Sequence, residues 1–259
     1  MSKKLSVSQL QEYAKCQKAY YLSRVQKAPQ LTAAWFIQGS VVHESIDFYE
    51  KSFRQVTSDQ AESFFLETWD RYVSKALESH PNEADWIPSG RRKRETDLQA
   101  RKDMGLEQVR GYLAANPPGA DIAPIELVPG EPAVEVGFEL DFDGVRVIGY
   151  LDAIMSERST GRIFPEDWKT GREAPSDPYQ LATYKFAIQH LTGCEVEFGR
   201  YWMCRENKPV VLDLRGYSWG EVADWYHQLT RGIENKVFLA NPGDCHTCTV
   251  KRSCKEGQG

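Results

Sequence analysis

The sequence predicts one α/β domain: helices first, then a mixed sheet crossed by a helix, with a helical insertion ahead of the sheet. Three observations lead there. Up to about residue 115 apolar side chains recur every three or four positions, and after Pro129 they alternate with polar ones. One helix-period stretch, at about 178–191, interrupts the alternating part. With 259 residues and 41% hydrophobic content the chain can bury a full core, and it shows no internal repeat or low-complexity linker. It therefore reads as a single domain over 1–259. N-terminal helices occupy 1–54, the helical insertion 55–130, the mixed-sheet core 131–215, and a last helix with a cysteine cluster 216–259.

From Leu5 to Val25 the residues Leu10, Tyr13, Cys16, Tyr20 and Tyr21 follow one helix face. A second helix at about Gly39–Phe53 rests on the stripe Val42, Ile46, Tyr49 and Phe53, with His43 beside it. Ser58 and Glu62 open a long core helix to Ser79 that carries Ala61, Phe64, Phe65, Trp69 and Tyr72. Another helix, about Glu95–Ala115, is stopped by the Pro and Gly of NPPGAD. Asp143-Gly144 divides residues 133–157 into two alternating strands, a hairpin signal. A third strand is expected at about 162–168, then a helix from Pro178 to Leu191. Strands at 195–204 and 209–214 flank Asn207-Lys208, and a helix from Ser218 to about Leu239 leads into the tail.

A net charge of −5 gives no global attraction to a polyanion, so nucleic acid would need a local basic patch. The densest is Arg91, Arg92, Lys93 and Arg94, supported by Arg101 and Lys102; as a charge run it reads equally as a solvated loop. Trp86, just upstream, is placed to stack on a base. No apolar run is long enough to span a membrane, and no leader-like stretch follows the first lysines, so a cytoplasmic protein is expected.

Asp152 closes a hairpin strand, and Asp167 and Lys169 stand two apart in EDWKTG, hence on one strand face. Carboxylates hold hard cations such as Mg²⁺, which polarise a phosphoryl oxygen and lower the pKa of water; a lysine ammonium offsets developing charge. The Trp168 carbonyl is a further candidate ligand. Gln180 and Tyr184, four apart, share a helix face and reach the same cleft. Taken singly, Asp-x-Lys also suits a charged surface strand, Gln180 and Tyr184 a polar rim, and His43 a structural histidine.

Cys245, Cys248 and Cys254 form C-x2-C-x5-C and leave a fourth coordination place, for which Cys16 is the natural candidate. Four thiolates suit zinc or an iron–sulfur cluster equally, with His246 an alternative ligand favouring zinc. Cys194 and Cys204 read as small buried hydrophobes.

In order, SxLxxYxxC (Ser8, Leu10, Tyr13, Cys16), GSVVH (Gly39–His43), GYLD (Gly149–Asp152), EDWKTG (Glu166–Gly171) and QLATY (Gln180–Tyr184) resemble the successive motifs of RecB-like nucleases of the PD-(D/E)XK superfamily. The cysteine arrangement resembles that superfamily's iron–sulfur branch, which includes the AddB nuclease domain and the CRISPR-associated 4Fe-4S exonucleases. The resemblance implies a restriction-endonuclease-like core whose termini are joined by a 4Fe-4S clasp on Cys16, Cys245, Cys248 and Cys254. It implies that His43, Asp152, Asp167 and the Trp168 carbonyl ligate Mg²⁺ or Mn²⁺, that Lys169 is the catalytic lysine, and that Gln180 and Tyr184 complete the site. Asp167 rather than Glu166 is taken as the acid because it shares the face of Lys169; Glu44 reads as a solvated helix position.

The implied activity is a metal-dependent DNA exonuclease, acting on single strands 5′ to 3′, in recombination, repair or processing. No ATP-binding G-x-x-x-x-G-K-[ST] loop is present, so a helicase or recombination partner would act in trans. The alternatives are a non-catalytic DNA-binding or assembly subunit of the same fold and a zinc-stapled interaction module. The oligomeric state is left open.

Overall fold

The computed structural model describes residues 4–90 and 94–257. Helices α1 (Val7–Lys15) and α2 (Gln17–Tyr20) lead through a π-helical turn (Tyr21–Val25) to α3 (Ala34–Lys51), α4 (Ser58–Ser79) and α5 (Arg94–Ala115). Short strands β1 (Ile122–Pro124), β2 (Glu126–Val128) and β3 (Glu131–Pro132) precede the hairpin β4 (Val134–Phe142) and β5 (Val145–Glu157). Then come β6 (Arg162–Lys169), α6 (Tyr179–Thr192), β7 (Phe198–Met203), β8 (Lys208–Asp213) and α7 (Trp219–Glu234), followed by 3-10 turns through the cysteine tail.

Among the described residues the main sheet has six strands in the order β1-β5-β6-β7-β8, with β4 also on β5. Every pairing is antiparallel except β6 with β7, whose crossover is α6. That crossover makes the sheet mixed. On β7, Tyr201 and Met203 join the core formed with α1, α6 and α7, whereas Trp202 joins the core formed with α3, α4 and α5. The period of two thus sends alternate residues to two helical layers, one on each face. β5 is the long strand: along its first part β4 is its strand partner, with Leu5 bridging Val147, and β6 joins only from Ala153 onward. Asp152 stands where β5 and β6 part.

Several expected boundaries are corrected. The helix expected over Leu5–Val25 is broken at Cys16, which adopts φ −158° and ψ 106° and caps α2 by accepting the Ala19 N–H on its sulfur at 3.4 Å. Leu5 lies outside any helix and bridges Val147 of β5. The capping box of α4 uses Thr57 and Gln60 rather than Ser58 and Glu62, because Thr57 holds the extended conformation an N-cap needs. The last helix ends at Glu234 instead of Leu239, where Asn235 caps it and Lys236 turns to φ 55°. The strand expected from 195 starts at Phe198, and the end of the expected insertion supplies β1, a strand of the main sheet, and β2.

Candidate active site

At the fork of β5 and β6 three elements deliver polar side chains to one place. β6 runs with every side chain from Phe164 to Trp168 buried, and alternation sorts its two acids. Glu166 turns to the α3–α5 side, where its Oε2 accepts from Arg200 Nε at 2.6 Å and from Nη2. Asp167, 1% exposed, turns the other way with Lys169. Lys169 Nζ pairs with Asp167 Oδ2 at 2.5 Å and donates to Gln180 Oε1 at 2.9 Å. Gln180 Nε2 donates back to Asp167 Oδ1 at 2.5 Å and to Tyr184 OH at 3.1 Å. Asp152 Oδ2 accepts the Trp168 backbone N–H at 3.0 Å and sits 3.3 Å from His43 Nδ1, which α3 brings across the sheet. Asp167, Lys169, Gln180 and Tyr184 therefore form one bonded group, and His43 with Asp152 a second beside it that feels the charges of Asp167 and Lys169.

The charges are crowded. Burial, then the neighbouring Asp167 carboxylate, pushes Asp152 well above the usual carboxylate range. Burial by itself would depress Lys169, but Asp167 and Asp152 hold it above its ordinary value, so the ammonium stays charged. Burial lowers His43, leaving a neutral imidazole at pH 7 that keeps a lone pair for a ligand. Tyr184 is raised well above its usual value, chiefly by burial.

Among the described residues no three His, Cys, Asp or Glu side chains are already gathered closely enough to hold a metal ion. The donor set nevertheless fits a hard divalent cation. The carboxylates of Asp152 and Asp167 repel one another and a neutral imidazole adjoins Asp152, so a cation would relieve the like-charge crowding on Asp152.

Glu135 was missed from the sequence. It lies opposite Asp152 across the hairpin at φ 55°, unusual for a residue other than glycine, and its charge acts on both Asp152 and Asp167. Its own carboxyl is raised by burial first. Counting outward from Asp143-Gly144 would have found it, since that register pairs Phe142 with Val145 and brings position 135 to 152. Asp47 of α3 is pushed up to about 7 by burial and by Glu135, with Lys51 opposing.

Away from that site, Cys16, Cys245, Cys248 and Cys254 line a separate cavity of about 420 Å³. The Cys16 sulfur accepts backbone N–H groups from Ala19 at 3.4 Å and Asn241 at 3.3 Å, donors suited to a thiolate. Cys254 Sγ donates to Glu256 Oε2 at 3.0 Å. Burial raises Cys248 and Cys254, so without a metal their thiols stay protonated. Four cysteine sulfurs around one cavity, with amide donors already at one of them, match the chemistry of a metal or cluster site, although the sulfurs are not at ligand distance from one another. Tail and start are hydrogen-bonded here: Lys18 N–H to Leu239 O at 2.9 Å, and Leu31 N–H to Thr249 O at 2.7 Å. His246 is exposed and does not line the cavity. Cys204 is buried, but Cys194 is exposed at the end of α6, correcting its reading as a buried hydrophobe.

Arg91, Arg92 and Lys93 lie outside the described residues, as does the side chain of Arg94. The supporting pair is engaged within the fold: Arg101 Nη1 donates to Gln38 Oε1 at 2.9 Å and Lys102 Nζ to Asp70 at 3.4 Å. Trp86 is 5% exposed and donates its indole N–H to His80 O, so it offers no ring face to a base. Packing against α3 overrides the exposure assumed for that loop. Glu44, read as solvated, pairs with Arg71 at 2.6 Å and with the Tyr72 hydroxyl.

Comparison with known proteins agrees with this geometry. The sequence profile of the PD-(D/E)XK nuclease superfamily matches residues 4–255. Two relatives, each called Gene 69 protein, come from mycobacteriophages. That of Mycobacterium phage D29 is 33% identical over 264 aligned residues, covering 96% of this chain and 95% of the phage protein. That of Mycobacterium phage L5 is 30% identical over 278, with the same coverage.

Proposed function

We propose, from the premise that this chain belongs to the PD-(D/E)XK nuclease superfamily, that it is a Mg²⁺- or Mn²⁺-dependent deoxyribonuclease that digests single-stranded DNA from an end, 5′ to 3′. One observation carries the catalytic part: an acid pair, an imidazole and a lysine tied through Gln180 converge at the β5–β6 fork. His43, Asp152, Asp167 and the Trp168 carbonyl would hold the divalent cation. When bound, that cation polarises the phosphoryl oxygen and acidifies a water. Lys169, held charged between Asp167 and Gln180, faces the charge that builds on the phosphoryl group and orients the attacking water. Gln180 fixes the lysine and the acid relative to each other, and Tyr184 anchors Gln180.

Polarity and strand preference rest on the resemblance of the cysteine arrangement to the 5′-to-3′ iron–sulfur exonucleases. The same resemblance, together with the shared cavity, supports a 4Fe-4S cluster on Cys16, Cys245, Cys248 and Cys254 as a structural clasp. Among the described residues no helix is long and apolar enough to cross a membrane. The proposed setting is the cytoplasm, with any helicase or recombination partner acting in trans and Arg91, Arg92, Lys93 and Arg94 assisting DNA binding.

The test is cleavage of 5′- and 3′-labelled single and double strands, with Mg²⁺, Mn²⁺ or EDTA, by protein purified without oxygen. Metal-dependent release of 5′ nucleotides from single strands is expected. Release only from 3′ ends would overturn the polarity, and no cleavage with any metal would overturn the activity.

A further inference from the structure

We infer that the groove between α1, the β4–β5 hairpin and α6 is the path of an unpaired nucleotide strand, and that Tyr150 is its base-stacking platform. The groove measures about 860 Å³, and Gln180 and Tyr184 of the candidate active site form part of its wall. Gln180, Tyr184 and Leu191 fall on one face of α6, so the groove follows that helix for roughly 16 Å. It opens where the sheet is incomplete. Leu5 bridges Val147 and β6 joins β5 only at Ala153, so among the described residues no strand is paired along that edge of β5 around Gly149.

Tyr150 is two residues before Asp152, and alternation sets both on the same face of β5. It is 65% exposed, far more than an aromatic ring needs if its role is packing. Its cross-strand partner is Gly137, and the ring comes within 3.3 Å of where a Gly137 Cβ would stand. The backbone of a glycine therefore supports one side of the ring and the rest faces water. In the adjacent pair the roles are exchanged: Phe138 fills the space over Gly149 and meets Tyr184 edge-on at 5.8 Å. The glycines at 137 and 149 are what let these rings lie down on the hairpin.

The chemistry of the walls selects the occupant. Glu139 is the one acid among the lining residues, and Lys4, at 3.2 Å, and Arg146 neutralise it. The remaining lining groups are hydroxyl, amide, imidazole, aromatic and aliphatic. Stacking on such a surface holds a strand without sequence choice, and Lys4 and Arg146 against the single Glu139 leave one positive charge beside it for the phosphates. An exposed ring can stack only on a base that is not already stacked in a duplex, so the groove takes single strands.

This inference rests on the nuclease reading above, and its test separates the two. Binding of a fluorescein-labelled single-stranded oligonucleotide is measured by anisotropy without divalent metal, alongside cleavage with Mg²⁺, for the wild type, Tyr150→Ala and Tyr150→Trp. Tyr150→Ala should weaken single-strand binding between about fivefold and about a hundredfold. Its loss in cleavage should fall mainly in KM. Tyr150→Trp should restore both, and affinity for a blunt duplex should change less than about twofold. Wild-type affinity in Tyr150→Ala, no restoration by Tyr150→Trp, or an equal loss on duplex would each overturn the platform. A wild type that cuts nothing refutes the nuclease reading alone, because the anisotropy series still decides whether Tyr150 holds a single strand.

Discussion

Glu166 and Asp167 are consecutive and both buried, yet neutralising them should have opposite results. Glu166→Gln leaves the Arg200 guanidinium, 6% exposed, without its counter-charge. Breaking a buried pair from one side costs about 3–5 kcal/mol, and a domain of this size loses about 2–4 °C per kcal/mol, so Tm should fall by roughly 6–20 °C. Asp167→Asn removes a like charge from Asp152, whose carboxyl is raised by burial and then by Asp167. It also frees Lys169, but that side chain is 26% exposed and keeps Gln180, so rehydration limits the loss. Its Tm should match or slightly exceed the wild type while cleavage is abolished. Glu166→Gln should still cut at a temperature where it is folded. Circular-dichroism melts and end-labelled cleavage on the same samples read both quantities. A Glu166→Gln protein that melts with the wild type, or one that is folded and inactive beside an active Asp167→Asn, refutes the division of labour on β6.

Lys169→Ala should lose cleavage by a factor of about 100 or more while still binding Mn²⁺ calorimetrically, since the lysine acts on charge in the transition state rather than on the metal; lost Mn²⁺ binding would count against this. His43→Ala should shift the metal titration of activity to higher concentration, and an unchanged titration would return His43 to a structural role. Cys16→Ser should yield colourless protein with lowered Tm, whereas a brown, equally stable variant would show that Cys16 is no ligand. Asp47→Asn should stabilise the fold at alkaline pH. Its carboxyl is raised to about 7, so the native state favours the proton and loses stability as pH rises through that value. A rise from the ordinary carboxylate range to about 7 corresponds to at most ~4 kcal/mol. The gain, measured by denaturant melts, should shrink as pH falls from 8 toward 4, and a gain independent of pH would exclude this cause.

Long elements and short-range geometry were legible in the sequence. The Asp143-Gly144 hairpin follows from turn chemistry and a period of two, and that period also brings Asp167 to Lys169. Gln180 and Tyr184 meet because four residues make one helical turn. What escaped depends on contacts between distant segments. β1, β2 and β3 are too short to show alternation, and Cys16 breaks a helix with a sulfur cap that propensity does not mark. Trp86 looked available until the His80 carbonyl and α3 enclosed it. Glu135 belongs to the site only through register, and Arg200, which separates Glu166 from the site, arrives from the parallel neighbour β7.

The break at Cys16 also links the two ends of the molecule to the groove. Before it, α1 presents Ser8 and Gln11 to the groove, and Gln11 Nε2 donates to Asp177, just ahead of α6, at 3.3 Å. After it, α2 is tied to the tail by the Lys18–Leu239 and Leu239–Gln17 hydrogen bonds. Tyr13 reaches across to Val237 O at 2.8 Å. A clasp closed on Cys16 would therefore fix the orientation of α1, and with it one wall of the groove. Asp152, Asp167 and Lys169 stand on the interior strands β5 and β6, outside the cavity that the four cysteines line. If the proposed clasp exists, opening it by Cys16→Ser should accordingly raise the KM for a single strand before it lowers kcat, and a loss confined to kcat would refute this coupling.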